Sequence, residues 1–116
     1  MIESMGKLRD TLRKFVAERD WDQFHSPKNL AMALSVEAAE LLEHFQWLTE
    51  EQSRQLAPEK LAEVRDELAD VLVYLVRLAD KLEVDLLAAA AQKIEKNALK
   101  YPAAKVRGSM KKYSEY

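Results

Sequence analysis

The longest regular pattern in the chain runs from Pro58 to Leu82, where Leu61, Val64, Leu68, Val71, Leu75, Leu78 and Leu82 alternate steps of three and four. Such spacing keeps side chains on one face of an α-helix and predicts a seam against which a second helix packs. Pro58 suits the first helical position, because its missing N–H would have no partner there. A shorter stripe, Leu8, Leu12, Phe15 and Val16, predicts a first helix over about Glu3 to Glu18. Asp20 to His25 reads as a loop. Ser26 followed by Pro27 reads as an N-cap and first turn, so a second helix is predicted from there to about Trp47. The polar stretch Thr49 to Ala57 reads as a connection. A last helix is predicted from about Asp85 to Lys100, stopped by Tyr101-Pro102. Its Ala88-Ala89-Ala90-Ala91 run permits close helix approach.

Four helices with short connections predict an all-α bundle. Residues 1–102 form the expected domain and residues 103–116 a basic C-terminal tail. The core of so small a bundle is modest, so a homodimer or homotetramer assembled through helix packing is expected.

Composition narrows the class. At 116 residues, with 48% hydrophobic and 33% charged, the chain reads as one globular domain rather than a disordered segment. The absence of cysteine excludes a disulfide scaffold and a thiolate metal site. No apolar run approaches the roughly 20 residues of a membrane span, and no signal-peptide core opens the chain. A cytoplasmic protein with no membrane partner is expected. The net charge of −2 is unevenly spread, with +3 on residues 103–116 and −5 on the remainder. A mildly acidic body lacks the footprint of a nucleic-acid binder. The tail suits a small polyanion, or serves solubility.

Two carboxylate pairs then carry the chemistry. Glu37 occupies a step of the stripe Leu30, Leu34, Leu41 and Phe45 where an apolar residue belongs, and Glu40 follows three residues on. Glu67 lies on the flank of the Pro58–Leu82 seam, with Asp70 further round. An ionised carboxylate at a packed position costs several kcal/mol unless it is paired, hydrogen-bonded or metal-bound. Four acids converging from two packed helices, with no evident basic partner, repel one another. A divalent cation removes the conflict; a solvated helix face is the plainer alternative. Oxygen-only ligands suit Mg²⁺, Mn²⁺ or Ca²⁺. A carboxylate di-iron site needs Glu-x-x-His on two helices, and neither His25 nor His44 follows a glutamate at that spacing. Mg²⁺ bound by a few carboxylates and substrate phosphates suggests phosphoryl or nucleotidyl chemistry.

Glu37-Ala-Ala-Glu40, 26 intervening residues, then Glu67-Leu-Ala-Asp70 resembles the ExxE…ExxD signature of the all-α nucleoside triphosphate pyrophosphohydrolases, the MazG-like superfamily. Further segments resemble its dCTP pyrophosphatase branch: Trp21-Asp-Gln-Phe-His25-x-Pro27-x-Asn29-Leu30, Phe45-Gln-Trp47, Asp70-Val-Leu-Val-Tyr74, Lys93-x-x-x-Asn97-x-x-Lys100-Tyr101-Pro102, and Arg107-Gly108-Ser109-x-x-Lys112-Tyr113. The similarity spans roughly residues 12 to 113.

The resemblance implies a four-helix MazG-like bundle that hydrolyses a nucleoside triphosphate between the α and β phosphates. The substrate it implies is dCTP or a modified dCTP, and the role nucleotide pool cleansing. Mg²⁺ (or Mn²⁺) is then held by Glu37, Glu40, Glu67 and Asp70. Glu40 is the expected base, with Glu37 the other catalytic carboxylate. Trp21, Phe24, His25 and Trp47 are expected around the base, and Tyr74 under the deoxyribose. Lys93, Asn97, Tyr101, Arg107 and Lys112 are expected at the sugar and phosphates. Lys100 stands where relatives often carry arginine, giving charge without a bidentate fork. A broad NTP or dUTP pyrophosphohydrolase is the near alternative. A non-catalytic helical interaction module, or a bundle that binds metal without hydrolysis, are the rivals from other classes.

Overall fold

The structure, a computed structural model, describes residues 1–110, and among them only helices and turns form. Their order is α1 (Met5–Glu18), a 3₁₀ turn (Asp22–Phe24), α2 (Pro27–Glu43), α3 (Glu50–Ser53), α4 (Pro58–Lys81), α5 (Leu86–Lys100) and α6 (Ala103–Val106). The fold is all-α, as the periodicity predicts. Local chemistry sets the helix starts. Ser4 Oγ accepts from the Lys7 N–H, Ser26 Oγ from Asn29 and Asp85 Oδ1 from Ala88, each at 3.0–3.1 Å. Every such bond satisfies an N–H that the first turn leaves without a helical partner.

Three stretches differ from expectation. α2 ends at Glu43 rather than near Trp47, because the chain tightens there into turns of three: the His44 N–H donates to Leu41 O and Phe45 to Leu42 O. The polar stretch after Thr49 holds α3, opened by a reciprocal capping box between Thr49 and Gln52. The segment beyond Pro102 likewise contains a short helix, α6.

The chain divides into two compact units, the first spanning Met1–Val84. Within it α1 and α2 both pack on α4, around a core of Val16, Leu30, Val64, Val76 and Ala79. The α4 seam is divided. Val64, Val71 and Leu78 are buried or half-buried, whereas Leu61, Leu68, Leu75 and Leu82 are exposed, Leu68 by 52%. Alternate members of a single heptad pattern thus serve the protomer's own core and an open stripe. Asp20 (φ 53°) and Glu83 (φ 55°) adopt the left-handed conformation just past α1 and α4, turning the chain sharply at each end. The second unit begins at Asp85 and comprises α5, the Tyr101-Pro102 stop and α6. No helix among the described residues is long and apolar enough to cross a membrane.

Candidate active site

The facing turns of α2 and α4 bring acids together. Glu37, Glu67 and Asp70 each place one carboxylate oxygen within 4.8 Å of the others. Glu37 and Glu67 are half-buried and Asp70 is exposed. Glu37 Oε2 and Glu67 Oε2 are shut off from solvent and have no hydrogen-bond partner. Burial pushes the Glu37 carboxyl up to about 7, reinforced by its neighbours Glu40 and Glu67 and by the charge of Asp70. Ionised, Glu37 faces acceptors only. Protonated, it can share its proton with Glu40 or Glu67. Glu40 therefore lies against Glu37, yet outside the trio whose oxygens converge.

An unsatisfied pair of buried anionic oxygens is costly in any protein. The donor set is all oxygen and carries three negative charges when ionised, which fits a hard divalent cation.

A second cluster lies around the 3₁₀ turn. Trp21 sits edge-on to Phe15 of α1, with ring centroids 5.9 Å apart at 69°. Arg19 covers the other partner of that pair, its guanidinium carbon 3.6 Å from the Phe15 ring centre. Asn29 Nδ2 donates to Phe24 O at 3.0 Å, tying the turn to the start of α2. Phe24 is exposed and His25 half-buried. Beneath them Arg77 of α4, only 3% exposed, donates to His25 Nδ1 at 3.3 Å, Asp22 Oδ1 at 3.0 Å and Asp80 Oδ2 at 3.4 Å. Lys81 Nζ reaches the same Asp22 oxygen at 2.6 Å. Arg13 of α1 donates through Nε to Asp80 at 2.8 Å. Burial, then the Arg77 charge, hold His25 below the usual imidazole range. The bonds from Lys81 and Arg77 hold Asp22 low, and Arg13 does the same for Asp80.

The remaining residues singled out by sequence fall as follows. Tyr74 is half-buried one turn beyond Asp70. Trp47 is 86% exposed in the turns after α2. Lys93 and Asn97 share an exposed face of α5, Tyr101 caps that helix and Arg107 caps α6; all four belong to the second unit. Lys112 lies outside the described residues. Sequence reasoning missed the Arg77 network. Its one local signal was a guanidinium amid Val71 to Ala79, three residues before Asp80.

The MazG-like family matches residues 32–116, which include both acidic pairs. The chain belongs to the MazG-like family. This MazG-like chain is 46% identical over 114 residues to dCTP pyrophosphatase 1 of Homo sapiens, covering 97% of the chain and 67% of that protein. The Mus musculus protein of the same name is equally similar. Among solved structures, a pyrophosphatase from Archaeoglobus fulgidus superposes with a TM-score of 0.80 at 44% identity, covering 84% of this chain and 92% of its own.

Proposed function

We propose that this MazG-like protein hydrolyses dCTP, or a base-modified dCTP, to the monophosphate and pyrophosphate in a divalent-metal-dependent reaction. The observation that carries the reading is the pair of buried, partnerless carboxylate oxygens on Glu37 and Glu67, beside Asp70, in a chain 46% identical to dCTP pyrophosphatase 1. Glu37, Glu67 and Asp70 hold the cation, with Glu40 at the edge of the set. When bound, Mg²⁺ or Mn²⁺ neutralises charge on the triphosphate and eases attack at phosphorus. Glu40, beside Glu37 but outside the converging trio, takes the proton of the attacking water. Trp21, Phe24, His25 and Trp47 enclose the base, and Tyr74 packs under the deoxyribose. Lys93, Asn97, Tyr101, Arg107 and Lys112 supply charge and hydrogen bonds to the sugar and phosphates. Cleansing of the nucleotide pool is the role this reaction serves.

Pyrophosphate release from each NTP and dNTP, with nucleotide products separated chromatographically, tests the reading. The expected result is monophosphate and pyrophosphate, fastest from dCTP. A uniform rate across the panel supports a broad pyrophosphohydrolase, and diphosphate plus phosphate places the cut at the wrong bond.

The open stripe of α4 supports a homo-oligomer. Leu61, Leu68, Leu72, Leu75 and Leu82 are exposed on one side of the helix, and Met32 and Val36 of α2 are exposed as well. Exposed apolar side chains aligned on one side of a helix support a contact with another chain. Leu68→Lys combined with Leu75→Lys is expected to lower the sedimentation coefficient to that of a 13.4 kDa protomer. A wild-type protein that already sediments as a protomer contradicts the proposal.

A further inference from the structure

Arg77 is the buried charged residue among those described, and the carboxylate chemistry does not use it. A guanidinium taken out of water costs several kcal/mol unless its donors and charge are engaged. Here they are engaged by groups far apart in sequence: Asp80 on its own helix, and Asp22 and His25 on the 3₁₀ turn. The same turn carries Trp21 and Phe24. One guanidinium therefore fastens the turn to α4.

The bond to His25 also fixes a proton. Arginine only donates, so Nδ1 must be bare, and a neutral imidazole then carries its hydrogen on Nε2. Protonating Nδ1 would destroy the bond and place an imidazolium against the guanidinium. The charges around the ring oppose that as well. Arg77 and Lys81 disfavour a charge on the ring and Asp22 favours it, Arg13 is paired with Asp10 and Asp80, and His44 lies elsewhere, beside Lys60 and Glu63.

We propose that Arg77 is a positioning residue that locks His25 as the neutral Nε2–H tautomer, making His25 a hydrogen-bond donor to an acceptor atom of the substrate base. This rests on the reading above that His25 faces the base. Cytosine offers adjacent acceptors at its ring N3 and its O2, and a fixed donor recognises such an edge without needing to reorient. Asp22 and Asp80 complete the lock by engaging the other two guanidinium nitrogens, Nη2 and Nη1.

Long-range ¹⁵N–¹H spectra of the full chain, with His44→Gln separating the two imidazoles, read the tautomer directly. The wild-type protein is expected to show the Nε2–H pattern for His25 at neutral pH. An Nδ1–H pattern or an imidazolium there overturns the lock without any Arg77 variant having to fold. Arg77→Lys keeps one charge and loses the fork. It is expected to give mixed tautomers and a KM for dCTP raised about three- to tenfold, the worth of one hydrogen bond, with kcat changed far less. Wild-type tautomer and KM in that variant overturn the proposal. In a His25→Ala background, Arg77→Lys is expected to add nothing further to KM. An unchanged KM for His25→Ala itself, with the tautomer shift still present, removes the base contact and so overturns the role while leaving the lock. Loss of all pyrophosphate release in the wild type instead falls on the proposed activity.

Discussion

Glu37→Gln is expected to cut turnover at least about a hundredfold, because on the proposed reading it helps to hold a cation on which several kcal/mol of charge stabilisation at the phosphates depend. The fold is expected to survive and the metal-free protein to gain stability. Glu37 Oε2 is buried without a donor, and its nearest neighbours Glu40 and Glu67 are acceptors too. A glutamine amide removes one charge and brings two N–H donors to acceptors that have none. At a pH where the wild-type carboxylates are ionised, that exchange is worth on the order of 1 kcal/mol. Thermal unfolding in EDTA and steady-state turnover in Mg²⁺ check the two halves separately. A variant less stable than the wild type in EDTA would show that Glu37 is a structural partner, and unchanged turnover would sink its assignment as a ligand.

Chelation is expected to abolish turnover, and added Mg²⁺ to raise the unfolding temperature by an amount that grows with pH. Glu37 titrates at about 7 in the folded chain, against a reference value of 4.5. Between those values the folded, metal-free protein keeps a proton that the unfolded chain has released. The stabilisation from that proton is complete below pH 4.5 and is lost as pH rises through about 7. A cation needs the ionised carboxylate, so binding must displace the proton below that range and is free of the penalty above it. Metal-free stability should therefore fall, and the Mg²⁺-induced shift should rise, from about pH 6 to about pH 8. Differential scanning fluorimetry over that range, with and without Mg²⁺, measures both. A shift independent of pH would remove Glu37 from the binding step.

The parts of this architecture that were legible in sequence are those set by neighbours a few residues apart. Ser26-Pro27 and Pro58 fix helix starts through local hydrogen bonding, and the α4 stripe repeats at helical spacing. Glu37 was conspicuous because it interrupts such a stripe. The Thr49-x-x-Gln52 capping box was available as well, but four helical residues leave no periodicity to see. The heptad in α4 has a different limit. Leu61 and Val64 look alike in a pattern, and only the path of α2 decides which faces the protomer's own core. Arg77 lay furthest out of reach. Its partners Asp22 and His25 are 55 and 52 residues away, and no local rule connects them.

α4 also works as a ruler. Asp70, at the acidic end of the site, and Arg77, which grips the 3₁₀ turn, stand seven residues apart on one unbroken helix, a rise of about 10 Å. On the proposed reading, the two ends of a nucleotide would thereby be gauged against a single rod rather than against two loops. Inserting one residue between them would lengthen the rod by only about 1.5 Å, yet swing one end about 100° round the axis. The interval from Asp70 to Arg77 is for that reason less free to change in length than any side chain within it is to change in kind.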